Sequence, residues 1–161
     1  MEYRHTPVLL AEVTQQLSPT DGSIFVDCTL GGAGHAKRLL DLVVPAGLLV
    51  GIDQDDAALD AAAVTLRLGQ QIPSDSTILL KGNFGDLDEL LASANIPYVD
   101  GFLFDLGVSS PQLDVPGRGF SYMEDAPLDM RMDPGHQTLT AAEVIAAYSE
   151  ADLARISGLH P

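Results

Sequence analysis

Three carboxylates and a glycine-rich turn, each placed where an apolar run ends, are the residues of this chain best able to do chemistry together. The run Ile24-Phe25-Val26-Asp27-Cys28 leads into Gly31-Gly32-Ala33-Gly34. Gly47-Leu48-Leu49-Val50-Gly51-Ile52 ends on Asp53, 19 residues after Gly34. Val99-Asp100-Gly101-Phe102-Leu103-Phe104 ends on Asp105. A backbone that turns sharply from strand to helix and lies against a ligand needs residues without bulky side chains. A carboxylate at the end of the following strand can accept hydrogen bonds from both ribose hydroxyls of an adenosine ligand. The competing role for Asp53 is an acid that complements a helix N-terminus. Asp55 and Asp56 are better placed for that.

Two adenosine cofactors fit such a site on first inspection. A nicotinamide dinucleotide asks for Gly-x-Gly-x-x-Gly beneath its pyrophosphate. The register Gly31-x-Ala33-x-x-Ala36 meets only the first glycine. S-adenosylmethionine has no pyrophosphate and carries a cationic sulfonium and ammonium. Asp27, Asp53 and Asp105 on one sheet edge suit that cation better than two phosphates, so the residues favour the methyl donor over NAD(P).

From Asp105 to Asp133 the chain reads as a polar, Gly/Pro-punctuated loop. Loops longer than about 12–15 residues inside a compact domain are usually functional or disordered. This one leaves the end of an apolar strand, where open α/β sheets place ligands. Its blocks are Asp105-Leu106-Gly107-Val108-Ser109-Ser110-Pro111-Gln112-Leu113-Asp114, then Arg118-Gly119-Phe120-Ser121, then Pro127-Leu128-Asp129-Met130-Arg131-Met132-Asp133. In this order they closely resemble the small-subunit ribosomal RNA methyltransferase H family, which methylates a cytosine at N4 using S-adenosylmethionine. Asp27-x-Thr29-Leu30-Gly31-x-Ala33-Gly34-His35 resembles that family's first motif, with alanine at position 33 where the family usually has glycine. The resemblance runs to about Arg155.

The resemblance implies roles for particular residues. Ala33, Gly34 and His35 would line the methionine portion of the cofactor, Asp53 would hold its ribose, and Phe84 would pack by its adenine. Asp105 and Gln112 would complete the pocket. Without it, Phe84 reads as core packing, His35 as a first-turn helix residue and Cys28 as a small buried hydrophobe with no chemistry. The reaction gives Asp105 a catalytic role. Cytosine N4 is a poor nucleophile because its lone pair is delocalised into the ring. Attack on the methyl requires N4 to become tetrahedral and shed a proton to an acceptor within hydrogen-bond reach. Many amino-methyltransferases place an Asp/Asn-Pro-Pro-aromatic stretch there; this chain has Asp105-Leu106-Gly107-Val108 instead. Phe120 or Tyr122 could stack on an extruded base in place of that aromatic. Arg118 and Arg131 could contact phosphate or pair with neighbouring carboxylates. No metal site is expected.

Strands alternating with helices must position these residues. Thr6-Pro7 reads as N-cap and N1 of a helix through Leu17. Helices are expected from about His35 to Leu42, Ala57 to Leu68 and Asp86 to Ala94, and strands at 24–28, 47–52, 77–80 and 99–104. Near-continuous apolar strands with helical crossovers argue for a doubly wound, Rossmann-like parallel sheet. Thr140-Ala141-Ala142-Glu143 is a capping-box pattern opening a helix to about Tyr148, and another begins at Ser149. The expected organisation is an α/β methyltransferase core at 1–109, a substrate and cofactor loop at 110–137 and the start of an inserted helical domain at 138–161. Four of the seven strands of such a sheet are visible, so the chain resembles the N-terminal half of the family and is expected to methylate poorly by itself.

Composition narrows the classes further. At 161 residues and 46% hydrophobic, the chain can bury one core. A single cysteine rules out an internal disulfide. No signal-peptide pattern or membrane-length apolar run is present, so a cytoplasmic protein without membrane association is expected. Eight basic residues against 23 acidic ones give a net charge of −15. Proteins that bind ribosomal RNA usually carry a basic footprint, and the 105–133 loop has six carboxylates and two arginines. The sequence is silent on oligomeric state. Three functions remain open on the residues: a small-subunit rRNA methyltransferase, an NAD(P)-dependent oxidoreductase, and a non-catalytic cofactor-binding fragment.

Overall fold

The computed structural model describes residues 7–67 and 75–158. They fall into two compact units, 1–107 and 108–161.

The first unit is a four-stranded parallel sheet wrapped by helices. Its strands are β1 (Ile24–Asp27), β2 (Leu48–Asp53), β3 (Thr77–Lys81) and β4 (Gly101–Leu103), in the order β3-β2-β1-β4. Every pair is parallel, with Val26 opposite Val50 and Phe102, and Val50 opposite Ile78. The doubly wound sheet expected from the sequence is therefore present. Helix α1 (Leu10–Leu17) precedes β1, and α2 (Gly34–Val43), α3 (Asp56–Arg67) and α4 (Leu87–Ser93) connect the strands.

The period of two along the strands explains why they read as continuous apolar runs. Phe25 and Leu49 point to one face, where they pack with Leu39, Leu40 and Val43 of α2 and Ala62 and Leu66 of α3. Val26, Val50 and Ile52 point to the other, with Leu87, Leu90 and Leu91 of α4. Both faces of β1 and β2 are buried, as a parallel sheet requires. β4 lies at the edge, and its Phe102 is 40% exposed.

The connections explain where the site lies. The chain lays β2 and β3 to one side of β1, then returns to lay β4 on the other side. The order of strand addition reverses between β1 and β4, and open α/β sheets bind ligands in the crevice at the carboxyl ends of such strands. Asp27 ends β1, and Asp105 stands two residues past β4.

Two expectations differ in their bounds. The first helix begins at Leu10, because Leu9 takes a left-handed φ of 54° that no helix continues through; Thr6 lies outside the described residues, as does Leu68 at the expected end of α3. β4 is shorter than 99–104. Before it the Asp100 carboxylate takes the Ile24 N–H at 2.7 Å, and after it the Asp105 N–H turns away to Thr29 Oγ1 at 2.7 Å.

The second unit replaces an expected long loop with short elements. Ser109 and Gln112 form a capping box that opens α5 (Ser110–Asp114), followed by a 3₁₀ turn at Pro116–Arg118. The box at Thr140 and Glu143 opens α6 (Ala141–Ala147), and Ser149 caps α7 (Glu150–Ile156). No helix among the described residues is long and apolar enough to cross a membrane.

Candidate functional site

The turn from β1 into α2 is built from two left-handed residues, Gly31 at φ 48° and Ala33 at φ 63°. Ala33 is fully buried. Its left-handed backbone costs a non-glycine residue about 1–2 kcal/mol. A glycine there would relieve that strain but lose a buried methyl, about 0.8 kcal/mol, and gain unfolded-state entropy of similar size. Ala33→Gly is therefore expected to shift stability by less than about 1 kcal/mol, measured by urea melts. Alanine is tolerated here because burial offsets strain.

Asp53 ties this turn to the next strand. Its Oδ2 accepts the Gly31 N–H at 2.9 Å and its Oδ1 accepts the Asp55 N–H at 3.0 Å. The helix-capping role falls to Asp55, whose Oδ1 accepts the Ala57 N–H at 3.1 Å. Each carboxylate oxygen has two lone pairs, so Asp53 keeps acceptor capacity beyond these bonds. Phe84 opens a 3₁₀ turn capped by Asn83, whose Oδ1 accepts from Gly85 N at 2.8 Å. The Phe84 ring is 39% exposed and stands edge-on to Phe104, with centroids 5.7 Å apart. It is thus a partly open aromatic surface, whereas core packing would have buried it.

On the other side of β1, Thr29 Oγ1 fixes the Asp105 backbone. The sequence reading had not singled out Thr29; its place between Asp27 and the glycines was the available signal. The Asp105 side chain is 53% exposed, and its Oδ2 lies 3.8 Å from Nδ1 of the buried His35. His35 Nε2 lies 2.9 Å from the Val8 carbonyl. Pro7 packs where a side chain on Gly34 would otherwise stand. That packing is a reason for glycine at the start of α2 beyond its turn geometry.

Asp27 is buried, with its Oδ1 accepting the Thr29 N–H at 3.1 Å. Burial pushes its carboxyl up to about 6, against the lowering influence of the Thr29 hydrogen bond and of His35, with Asp105 and Asp53 adding repulsion. The folded chain thus holds this proton more tightly than the unfolded one, whose carboxyl titrates near 3.8. The stability this group contributes is full below pH 3.8 and is lost as pH rises to about 6. Asp27→Asn keeps the Thr29 acceptor and removes the buried charge. It is expected to raise stability at neutral pH by about 1–3 kcal/mol and to flatten the pH 4–6 slope in denaturant melts. Burial also pushes the neighbouring Cys28 thiol up to about 12, so it stays protonated and unreactive.

Negative charge collects at this strand edge, and the donor set suits a cationic adenosyl ligand: carboxylates, a glycine turn and an open aromatic ring, with neither lysine nor arginine among these residues.

A family model described as the MraW methylase family matches residues 2–158. The chain belongs to that family. It is 48% identical over 156 residues to the Ribosomal RNA small subunit methyltransferase H of Desulfosudis oleivorans, covering 97% of this chain and 48% of that protein. The namesake from Geotalea daltonii is 50% identical, with 96% and 48% covered; that of a Paenibacillus strain is 49% identical, with 96% and 49% covered. The resemblance drawn from the motifs is thereby borne out. The chain spans about half the length of the curated relatives it matches.

The other expected residues of this MraW-family chain lie in the second unit. Gln112 is buried, and its Oε1 accepts the Ser109 N–H at 2.9 Å. Arg118 Nη2 donates to the Arg131 and Met132 carbonyls at 3.1 and 3.0 Å, and its guanidinium sits 5.9 Å from the Phe120 ring centre. Arg131 forms a two-pronged pair with Asp129, Nε to Oδ1 at 2.9 Å and Nη2 to Oδ2 at 2.7 Å. That pair holds the Asp129 carboxyl down to about 2. Phe120 and Tyr122, together with Leu113, Met123, Asp114 and Glu124, line an open cavity of about 460 Å³, and Tyr122 is almost wholly exposed.

Proposed function

We propose that this sequence carries the cofactor-binding part of an S-adenosylmethionine-dependent methyltransferase acting on N4 of a cytosine in small-subunit ribosomal RNA, in the decoding region. The observation that carries this reading is the carboxylate edge: Asp27 and Asp105 flank the switch point and Asp53 organises the glycine turn, in a chain of the MraW family. When bound, S-adenosylmethionine would supply a methyl group activated by its sulfonium.

The residues divide the work. Asp53 accepts from the ribose hydroxyls while bracing Gly31. Ala33, Gly34 and His35 line the amino-acid end, where the charge of Asp27 favours an ammonium. Phe84 offers its open ring to the adenine. Asp105, half exposed with its backbone pinned by Thr29, takes the proton that N4 sheds. In the second unit, Phe120 and Tyr122 offer stacking surfaces for an extruded base in a cavity within the size range of small-molecule sites. Arg118 and Arg131 act by shaping this segment more than by meeting phosphate. Lys37, Lys81, Arg131 and Arg155 are paired with carboxylates, so the electrostatic share of RNA affinity from these residues is small. A cytoplasmic setting follows from the substrate.

Calorimetric titration separates this reading from an oxidoreductase. S-adenosylmethionine is expected to bind and NAD to give no heat. Tighter binding of NAD would overturn the proposal.

A further inference from the structure

His35 does more in this geometry than line a ligand. A backbone carbonyl can only accept a hydrogen bond, so the 2.9 Å contact with Val8 requires the imidazole hydrogen on Nε2. In the neutral ring Nδ1 then carries a lone pair. That nitrogen faces Asp105 Oδ2 at 3.8 Å. The ring is buried while half of the Asp105 side chain is open. Asp105 thus stands between the exposed side of the site and a basic nitrogen whose tautomer is set from 27 residues away.

We propose that His35 is the proton acceptor behind Asp105, held in the required tautomer by the Val8 carbonyl. This inference rests on the reading of Asp105 as the acceptor for N4. The proton balance is complete without any further reactant. The N4 lone pair forms the new N–C bond as the methyl C–S bond breaks, its electron pair staying on sulfur. The proton lost from N4 passes to the Asp105 carboxylate and then to His35 Nδ1. Asp105 returns to the anion, and the positive charge that began on the sulfonium ends on the imidazolium. At 3.8 Å the carboxylate is not locked to the ring at rest; rotation of the open Asp105 side chain brings it to hydrogen-bond distance once it carries the proton.

The groups around the ring favour this direction. Asp27 at the end of β1 and Asp105 beyond β4 both present carboxylates to it, and the Coulombic coupling of His35 to Asp27 is attractive. Of the described N-terminal residues, Val8 meets it through its carbonyl. On its own helix, Lys37 is engaged with Asp41. Asp53 turns its oxygens to Gly31 and Asp55. His35 acts through Asp105 and is in that sense a positioning residue.

The test is side-chain ¹⁵N NMR of histidine-labelled chain, with the His35 signals assigned by His35→Gln. The neutral ring is expected as the Nε2–H tautomer at about pH 8. Asp105→Asn is expected to move the His35 Nδ1 resonance, which faces Asp105, more than the Nε2 resonance held by the Val8 carbonyl. An Nδ1–H ring, or an Nδ1 resonance indifferent to Asp105→Asn, overturns the proposal. The tautomer is read on the unsubstituted chain, so it stands even if a variant folds badly. Neither signal needs methyl transfer, so this inference can fail while Asp105 remains the N4 acceptor. Failure of that role would show as undiminished transfer by Asp105→Asn.

Discussion

Replacing Asp105 with Asn is expected to slow methyl transfer to cytosine N4 on the order of 10²-fold or more, the scale of general acid–base contributions. The substitution keeps the shape of the side chain and removes its charge. The Asp105 N–H, which meets Thr29 Oγ1, belongs to the backbone and is untouched, so the chain should still leave β4 along the same path. The side chain is half exposed, which makes a folding defect an unconvincing source of a large loss. Cofactor affinity should fall far less than the rate, because Asp53 and the glycine turn remain. The measurement is single-turnover transfer to unmodified small ribosomal subunits, within a chain of the relatives' full length. A rate near that of the unsubstituted protein would reduce Asp105 to a structural or cofactor-binding residue.

The fold was legible where local pattern and tertiary demand agree. Apolar runs ending in Asp27 and Asp53 became β1 and β2 because a sheet covered on both faces needs side chains such as Phe25 and Val26 in succession. The Thr140 and Glu143 capping box is likewise a local device and formed as read. The Ser109 and Gln112 box carries the same Ser-x-x-Gln signal. It was passed over because the surrounding stretch reads as one polar loop.

What stayed hidden depends on contacts between distant residues. Nothing near Leu9 announces its left-handed backbone, which delays α1 to Leu10. The bond from His35 to Val8 and the anchoring of Asp105 by Thr29 join residues 27 and 76 positions apart, and no spacing rule reaches so far. The strand-edge acids were visible as a set, but not their division of labour. Burial separates Asp27 from the half-open Asp105, and the backbone bonds of Asp53 separate it from both.

That division bears on Asp53→Ala, which is expected to weaken S-adenosylmethionine binding by about 1.5–3 kcal/mol, the worth of a lost charged acceptor. In dissociation constant this is roughly 10- to 150-fold. The alanine variant removes two things at once, the ribose acceptor and the bonds that hold the N–H groups of Gly31 and Asp55. Asp53→Asn separates them. Its amide oxygen can keep one of the two backbone bonds, and its nitrogen can donate to a ribose oxygen, but the negative charge is gone. If the ribose role dominates, Asn should lose most of what Ala loses in calorimetric titrations while the ligand-free protein melts close to the unsubstituted chain. If bracing the turn dominates, affinity and melting should fall together in Ala and recover together, in part, in Asn, which keeps one of the two bonds. An Asp53→Ala protein that binds S-adenosylmethionine with unchanged affinity would remove Asp53 from the site altogether, since neither role could then be contributing.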